Sequence, residues 1–382
     1  MKKTSIDPVI NFFISVVGLV VIFIVLKELQ HICIPLVIAY LLFYVFAPLN
    51  NLLTKFKTPY AVAIILDLLV IGIIFWGTTR IILTSFGELG TQMPVYEEKL
   101  NNIVSSAAFS LGIKDPLFTN FKLTEVLKGI NYGGIAEGFF SSTLSIVSTS
   151  VFVIFFYIFV CSGHARLVDV IKRRYIERNI KQSIKQIRKE VKHRNLELEL
   201  DNSIEIDEEV QQIRAEREIK IEKTFKEITE QIQKYIATKF LINLVMSFIM
   251  GIILLIFGVD FLIVWVVIAF MLNFIPNIGS VISVLFPTLM VLVQYESVGY
   301  ALLFAAIVTV VQNIMGNIIE PKIFGNKLGL NPLVILLSLL LWGYIWGIVG
   351  MIISVPLTAV IKIIMGSAHS PNMNFISDLM GN

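Results

Sequence analysis

Gln312, Asn313, Gly316, Asn317 and Glu320 follow one another at steps of one, three, one and three within a run otherwise rich in valine, isoleucine and methionine. On a helix those steps hold all five on one face. The amides there offer donors and acceptors along a cavity, and the carboxylate closes its end. Polar groups set in so apolar a run face a protein interior or a wet path. They serve either as a solute site or as glue between helices, with Gly316 permitting close approach in the second case. A second polar interruption is Asn273-Phe274-Ile275-Pro276-Asn277-Ile278-Gly279-Ser280. Asp67 is the lone acid of another apolar run, suited to coupling a proton or sodium ion and equally to an interhelical hydrogen bond.

Other chemistries find no support. The four histidines are scattered singly, and Cys33 and Cys161 stand far apart with no CxxC spacing, so neither a metal site nor a disulfide framework is read. No HExxH, Walker A, GxSxG or GxGxxG pattern occurs, which argues against an ATP-driven pump and most enzymes. No catalytic residue and no cofactor is assigned. The net charge of +3 carries no nucleic-acid footprint.

The elements that must position these groups lie in a membrane. The chain is 56% hydrophobic and only 15% charged, against about 25% charged for a soluble domain. Apolar runs recur near the roughly 20 residues that cross hydrocarbon as a helix. Full spans are expected at 9–26, 32–53, 60–84, 142–162, 236–257 and 299–319. Lysine and arginine placement puts both termini in the cytoplasm of a bacterial-type inner (plasma) membrane. The expected organisation is a scaffold of three spans (1–85), an extracytoplasmic amphipathic segment (86–141) and span four (142–163). A cytoplasmic charged helical hairpin (164–235), a transport core (236–364) and a cytoplasmic tail (365–382) follow. In the charged segment Ile176, Ile180, Ile184, Ile187 and Val191 keep a helical period, as do Ile221, Phe225, Ile228, Ile232 and Ile236. The alternating stretches Leu196–Leu200 and Ile204–Ile206, on either side of Asp201-Asn202-Ser203, predict a small β-tip between the two helices.

Two apolar stretches, 261–293 and 331–364, are broken near their centres. Pro276 and Gly279 interrupt the first; Gly343, Gly347 and Gly350 interrupt the second. Pieces of about half the needed length predict re-entrant hairpins rather than spans. Ile278 to Pro287 and Val349 to Pro356 look alike, and each stretch follows a full span in opposite orientation. Inverted repeats with paired broken helices point to a central solute site. The substrate-site candidates are Asn273, Pro276, Asn277, Gly279, Ser280, Asn313, Asn317, Glu320, Gly347 and Gly350; Asp67 and Glu320 are candidates for ion coupling.

Several of these motifs resemble the autoinducer-2 exporter family, the AI-2E transporters. The resemblance rests on Asn273 to Ser280, on Gly316-Asn317-Ile318-Ile319-Glu320-Pro321-Lys322-Ile323-Phe324-Gly325 with Leu328-Gly329-Leu330, and on Leu337 to Gly343 with Gly350 to Leu357. It is closest to the branch that includes the autoinducer-2 exporter. The charged stretch near 176–222 is longer than that branch implies. The resemblance implies export of a small polar metabolite, autoinducer-2 or a relative. It also implies sodium (cation)/proton antiport as an alternative, because the family includes proteins assigned to that exchange. The combined expectation is an all-α polytopic secondary transporter with about six spans and two re-entrant hairpins. Its partners are the lipid bilayer, a small polar solute, H+ or Na+ as coupling ion, and further copies of itself. A non-transporting scaffold that recruits cytoplasmic partners through its charged hairpin is the rival from another class.

Overall fold

The computed structural model describes residues 8–113, 147–174, 203–275, 278–324, 330–366 and 371–381. The described residues form helices α1 (Pro8–Glu28), α2 (Gln30–Lys55), α3 (Tyr60–Ser110), α4 (Val147–Arg174) and α5 (Ser203–Ile256). Then come α6 (Leu262–Leu272), α7 (Ile278–Tyr295), α8 (Val298–Ile314), α9 (Pro332–Gly366) and α10 (Pro371–Leu379). A π-helical turn, Met315–Ile319, carries α8 on into Glu320–Phe324.

Seven helices among the described residues are long and apolar enough to cross a membrane. Their outward faces carry large apolar side chains: Ile73, Phe248, Leu255 and Leu302 are all more than 60% exposed. A soluble protein does not present apolar surface on that scale. Lipid is the solvent that accounts for it, and the protein is a multi-pass all-α membrane protein, as expected.

Two details depart from expectation. The helix that carries the third span does not stop near residue 84. Helix α3 runs unbroken through Pro94 to Ser110, 51 residues or about 75 Å. Gly87, Gly90 and Pro94 are weak helix formers, but Tyr96 and Ala108 are buried against the rest of the molecule, and tertiary contact overrides local propensity. The β-tip is corrected for its second arm. Ile204-Glu205-Ile206 lies inside α5, which opens at Ser203. Leu196–Leu200 and the helix expected over 176–191 lie outside the described residues. As expected, α5 continues without interruption into the fifth span. Its isoleucine stripe packs Ile232, Tyr235 and Ile236 against Val355, Ala359 and Ile363 of α9 and Tyr44 and Val45 of α2. The ion pair Lys172–Glu222 ties α4 to α5.

Both broken stretches fold as helical hairpins. In the first, α6 and α7 meet so closely that a Cβ on Gly279 would lie 1.7 Å from the Leu272 carbonyl oxygen. The base of this hairpin is closed by Tyr295, whose hydroxyl donates to the Phe257 carbonyl at 2.7 Å. Chain enters and leaves on one side, and α8 begins there. The arms are unequal. With 11 residues, α6 is half a span, whereas α7 with 18 is among the seven helices of crossing length. The second hairpin is α9, bent where Gly347 takes φ 62° and ψ −142°, a conformation suited to glycine. A Cβ on Gly350 would lie 2.0 Å from the Trp342 carbonyl, and Trp342 Nε1 reaches Thr358 Oγ1 at 3.3 Å across the bend. Gly279 and Gly350 thus occupy matching places at the two crossings.

The first hairpin packs between α5 and α8, with Met250, Leu254, Ala269, Val291, Phe304 and Val308 at its core. The second rests Trp342, Ile345 and Trp346 on Phe23, Leu26, Ile34 and Val37 of α1 and α2. Both tryptophans are packing residues.

Candidate functional site

A cavity of about 630 Å³ lies among α5, the first hairpin, α8 and the two arms of α9. Its size suits a small solute, since ligand sites commonly measure about 300–1,000 Å³. Much of its wall is apolar: Ile242, Met246, Val284, Met315, Ile335 and Val355. Polar side chains make up nearly half of the lining residues and come from α5, the first hairpin and α8 with its continuation.

Helix α8 supplies the amide face read from the sequence. Gln312, Asn313, Gly316, Asn317 and Glu320 all line the cavity. Asn313 Nδ2 donates to the Thr309 carbonyl at 2.9 Å, and Asn317 Nδ2 donates to Asn313 Oδ1 at 3.0 Å. Each amide so fixes the next. The π turn falls within this ladder, and such turns are often found at functional sites. Nothing lies within 4 Å of a Cβ on Gly316, so this glycine borders open space rather than a helix contact.

The turn of the first hairpin adds Asn273, and the first turn of α7 adds Ser280. Helix α5 adds Lys239 and Asn243, both buried. Lys239 Nζ donates to Glu320 Oε1 at 2.5 Å, with 7% of the lysine side chain and 28% of the glutamate exposed. Three amide nitrogens, Asn243 Nδ2, Asn273 Nδ2 and Gln312 Nε2, are buried without a hydrogen-bond partner. A buried amide normally finds one.

Of the residues singled out in the sequence, Asn273, Ser280, Asn313, Asn317 and Glu320 come together at this cavity. Pro276 and Asn277 lie outside the described residues. Gly279 is buried at the hairpin crossing against Leu272, and Gly350 holds the equivalent place against Trp342. Gly347 forms the bend of α9. None of these three glycines lines the cavity. Asp67 stands apart from it. Its Oδ2 accepts from Asn50 Nδ2 and from the Tyr157 hydroxyl, each at 2.6 Å, which joins α2, α3 and α4.

Sequence reasoning missed Lys239 and Asn243. A signal was present: the stripe Ile232, Ile236, Lys239, Asn243, Met246, Met250 keeps the helical period without a break. A lysine on an apolar stripe is a buried lysine, but its place beside the charged segment made it read as the end of that segment.

A multi-pass helical membrane protein, built on two paired hairpins around an amide-lined cavity, is the class these features define. The chain belongs to the AI-2E family transporter family, whose profile matches residues 12–197 and 207–369. It is 40% identical over 134 residues to the AI-2 transport protein TqsA of Escherichia coli K12, covering 35% of this chain and 39% of TqsA. It is 42% identical over 134 residues to YhhT of the same organism, covering 35% of this chain and 38% of YhhT. To YrrI of Bacillus subtilis strain 168 it is 33% identical over 140 residues, covering 37% of this chain and 39% of YrrI. The matched stretch spans less than half the length of each of these relatives.

Proposed function

We propose that the protein is a secondary transporter that exports a small, oxygen-rich polar metabolite through this cavity. An autoinducer-2-like signalling molecule is the first cargo to test. The observation that carries the reading is the meeting, in one 630 Å³ space, of the α8 amide face with the turn of the first hairpin. Cargo would bind to Asn273, Ser280, Asn313, Asn317 and Glu320. The name of TqsA points to the same cargo class.

In this reading α6 and α7 form a re-entrant hairpin, the bent α9 forms its inverted counterpart, and both chain termini are cytoplasmic. Closure of the first hairpin's base by Tyr295 supports the re-entrant geometry, because it returns the chain to the side it left. Cation/proton exchange is the weaker reading, since Glu320 is neutralised by Lys239 and Asp67 is engaged by Asn50 and Tyr157.

Flux in proteoliposomes, with and without an imposed proton or sodium gradient, tests the proposal. Export predicts counterflow of cargo that an ion gradient accelerates. Ion flux without any solute points to the antiporter. A folded, inserted protein that moves neither is a scaffold.

A further inference from the structure

Resting on the transport reading, but placing another cargo class ahead of the carboxylate-free autoinducer-2, we infer that the cavity selects hydroxylated carboxylates over neutral polyols of the same size. Lys239 is the counter-charge for the acid, and Glu320 is the internal carboxylate that the cargo displaces from it.

The polar inventory of the cavity is lopsided. Lys239 presents an ammonium group with three donors and no acceptor. Asn243, Asn273 and Gln312 each present a buried amide nitrogen with no partner. Among the lining residues Glu320 is the single acid, and it already holds Lys239 at 2.5 Å. An unpaired amide can be turned to offer either end, so the amides alone leave the choice open. The lysine decides it. A site with one fixed cation and several unmet amides is completed by a guest rich in oxygen acceptors and carrying one negative charge.

The Lys239–Glu320 pair explains how such a site exists empty. A buried ammonium without a counter-charge is strongly destabilising, and Glu320 supplies that charge until cargo arrives. Glu320 is four times as exposed as its partner, 28% against 7%, so it is the member able to swing toward water while Lys239 stays. It also stands one residue beyond the π turn, where helical hydrogen bonding is already irregular. The amides fix the hydroxyl framework of the guest; the exchange of carboxylates reads its acid.

The probes are gluconate and sorbitol, which share a hydroxyl framework and differ at one carboxylate, with binding measured calorimetrically on the full chain in detergent at low chloride. Wild-type protein is expected to bind gluconate in preference to sorbitol. Removing the competitor in Glu320→Gln should tighten gluconate by about tenfold, the equivalent of one charge-assisted contact of about 1.4 kcal/mol, and leave sorbitol unchanged. A merely structural ion pair predicts the opposite sign, weaker binding of both. The double variant Lys239→Gln/Glu320→Gln restores neutrality and should treat the two solutes alike. Equal or absent binding of gluconate and sorbitol by wild type, weaker gluconate binding by Glu320→Gln, or persistence of the acid preference in the double variant each overturns the inference. If the single variant does not fold, the double variant alone decides. Gluconate binding in detergent with no solute flux in liposomes defeats the transport reading and leaves the acid site standing.

Discussion

Replacing Gly279 with alanine adds one methyl group at the point where the arms of the first hairpin cross. That methyl carbon would stand 1.7 Å from the Leu272 carbonyl oxygen and 2.4 Å from its carbon. Carbon and a carbonyl oxygen approach no closer than about 3.3 Å, so the arms must separate by roughly 1.5 Å. The obstacle is backbone, which no rotamer change removes. Overpacking that can be relieved by side-chain shifts costs about 1–3 kcal/mol, and Gly279→Ala should cost at least the upper end of that range. The assay is thermal denaturation with monodispersity in detergent, beside two controls. Gly72→Ala and Gly316→Ala meet nothing within 4 Å and should melt close to wild type. Gly350→Ala, at 2.0 Å from Trp342, should fail like Gly279→Ala. Wild-type melting of Gly279→Ala would show that the two arms do not cross there, and the hairpin geometry would fall with it.

Asn317→Ala removes one rung of the α8 ladder and should weaken cargo by about three- to tenfold, one hydrogen bond's worth of 0.5–1.5 kcal/mol, at nearly unchanged melting temperature; early melting with normal affinity would make Asn317 a packing residue. Tyr157→Phe leaves Asp67 with Asn50 alone and should cost about 1–3 kcal/mol of stability while flux per folded molecule keeps its dependence on ion gradients. Loss of that dependence would return Asp67 to ion coupling. Lys99 reaches the Gln294 carbonyl at 2.6 Å and Tyr96 meets Asp260 at 2.8 Å, so Lys99→Ala with Tyr96→Phe should raise hydrogen exchange over residues 257–261 and leave the C-terminal half of α8 unchanged.

Much of this architecture could be read from the residues. The break between α6 and α7, the bend at Gly347, the helical run of α5 and the amide face of α8 all declare themselves through period and punctuation. What escaped reading depends on distant contacts. Gly87, Gly90 and Pro94 carry local signals for a break in α3, yet Tyr96 and Lys99 find partners near residues 260 and 294, and the helix persists. Alternation at Ile204–Ile206 imitates a strand because three residues cannot distinguish a two-residue period from helix ends. Lys239 was hidden by its neighbours, since charge density suggested solvent where the stripe required burial. The glycines at the crossings were noticed for flexibility, whereas Gly279 and Gly350 serve by lacking volume.

Trp346 Nε1 donates to the Leu26 carbonyl at 2.9 Å, across 320 positions of sequence, and Lys27 lies 4.2 Å from the centre of the Tyr344 ring. The 320 positions between Leu26 and Trp346 set an interval between the synthesis of α1 and that of this anchor on α9. At about 5–20 residues per second that interval is roughly 16–64 s. Throughout it, α1 can pack on α2 but not yet on the tryptophans of α9. A nascent chain arrested before residue 346 would carry every upstream span and still lack the clasp that seats its first helix. Insertion can proceed helix by helix, but α1 and the second hairpin are joined only after α9 has been made.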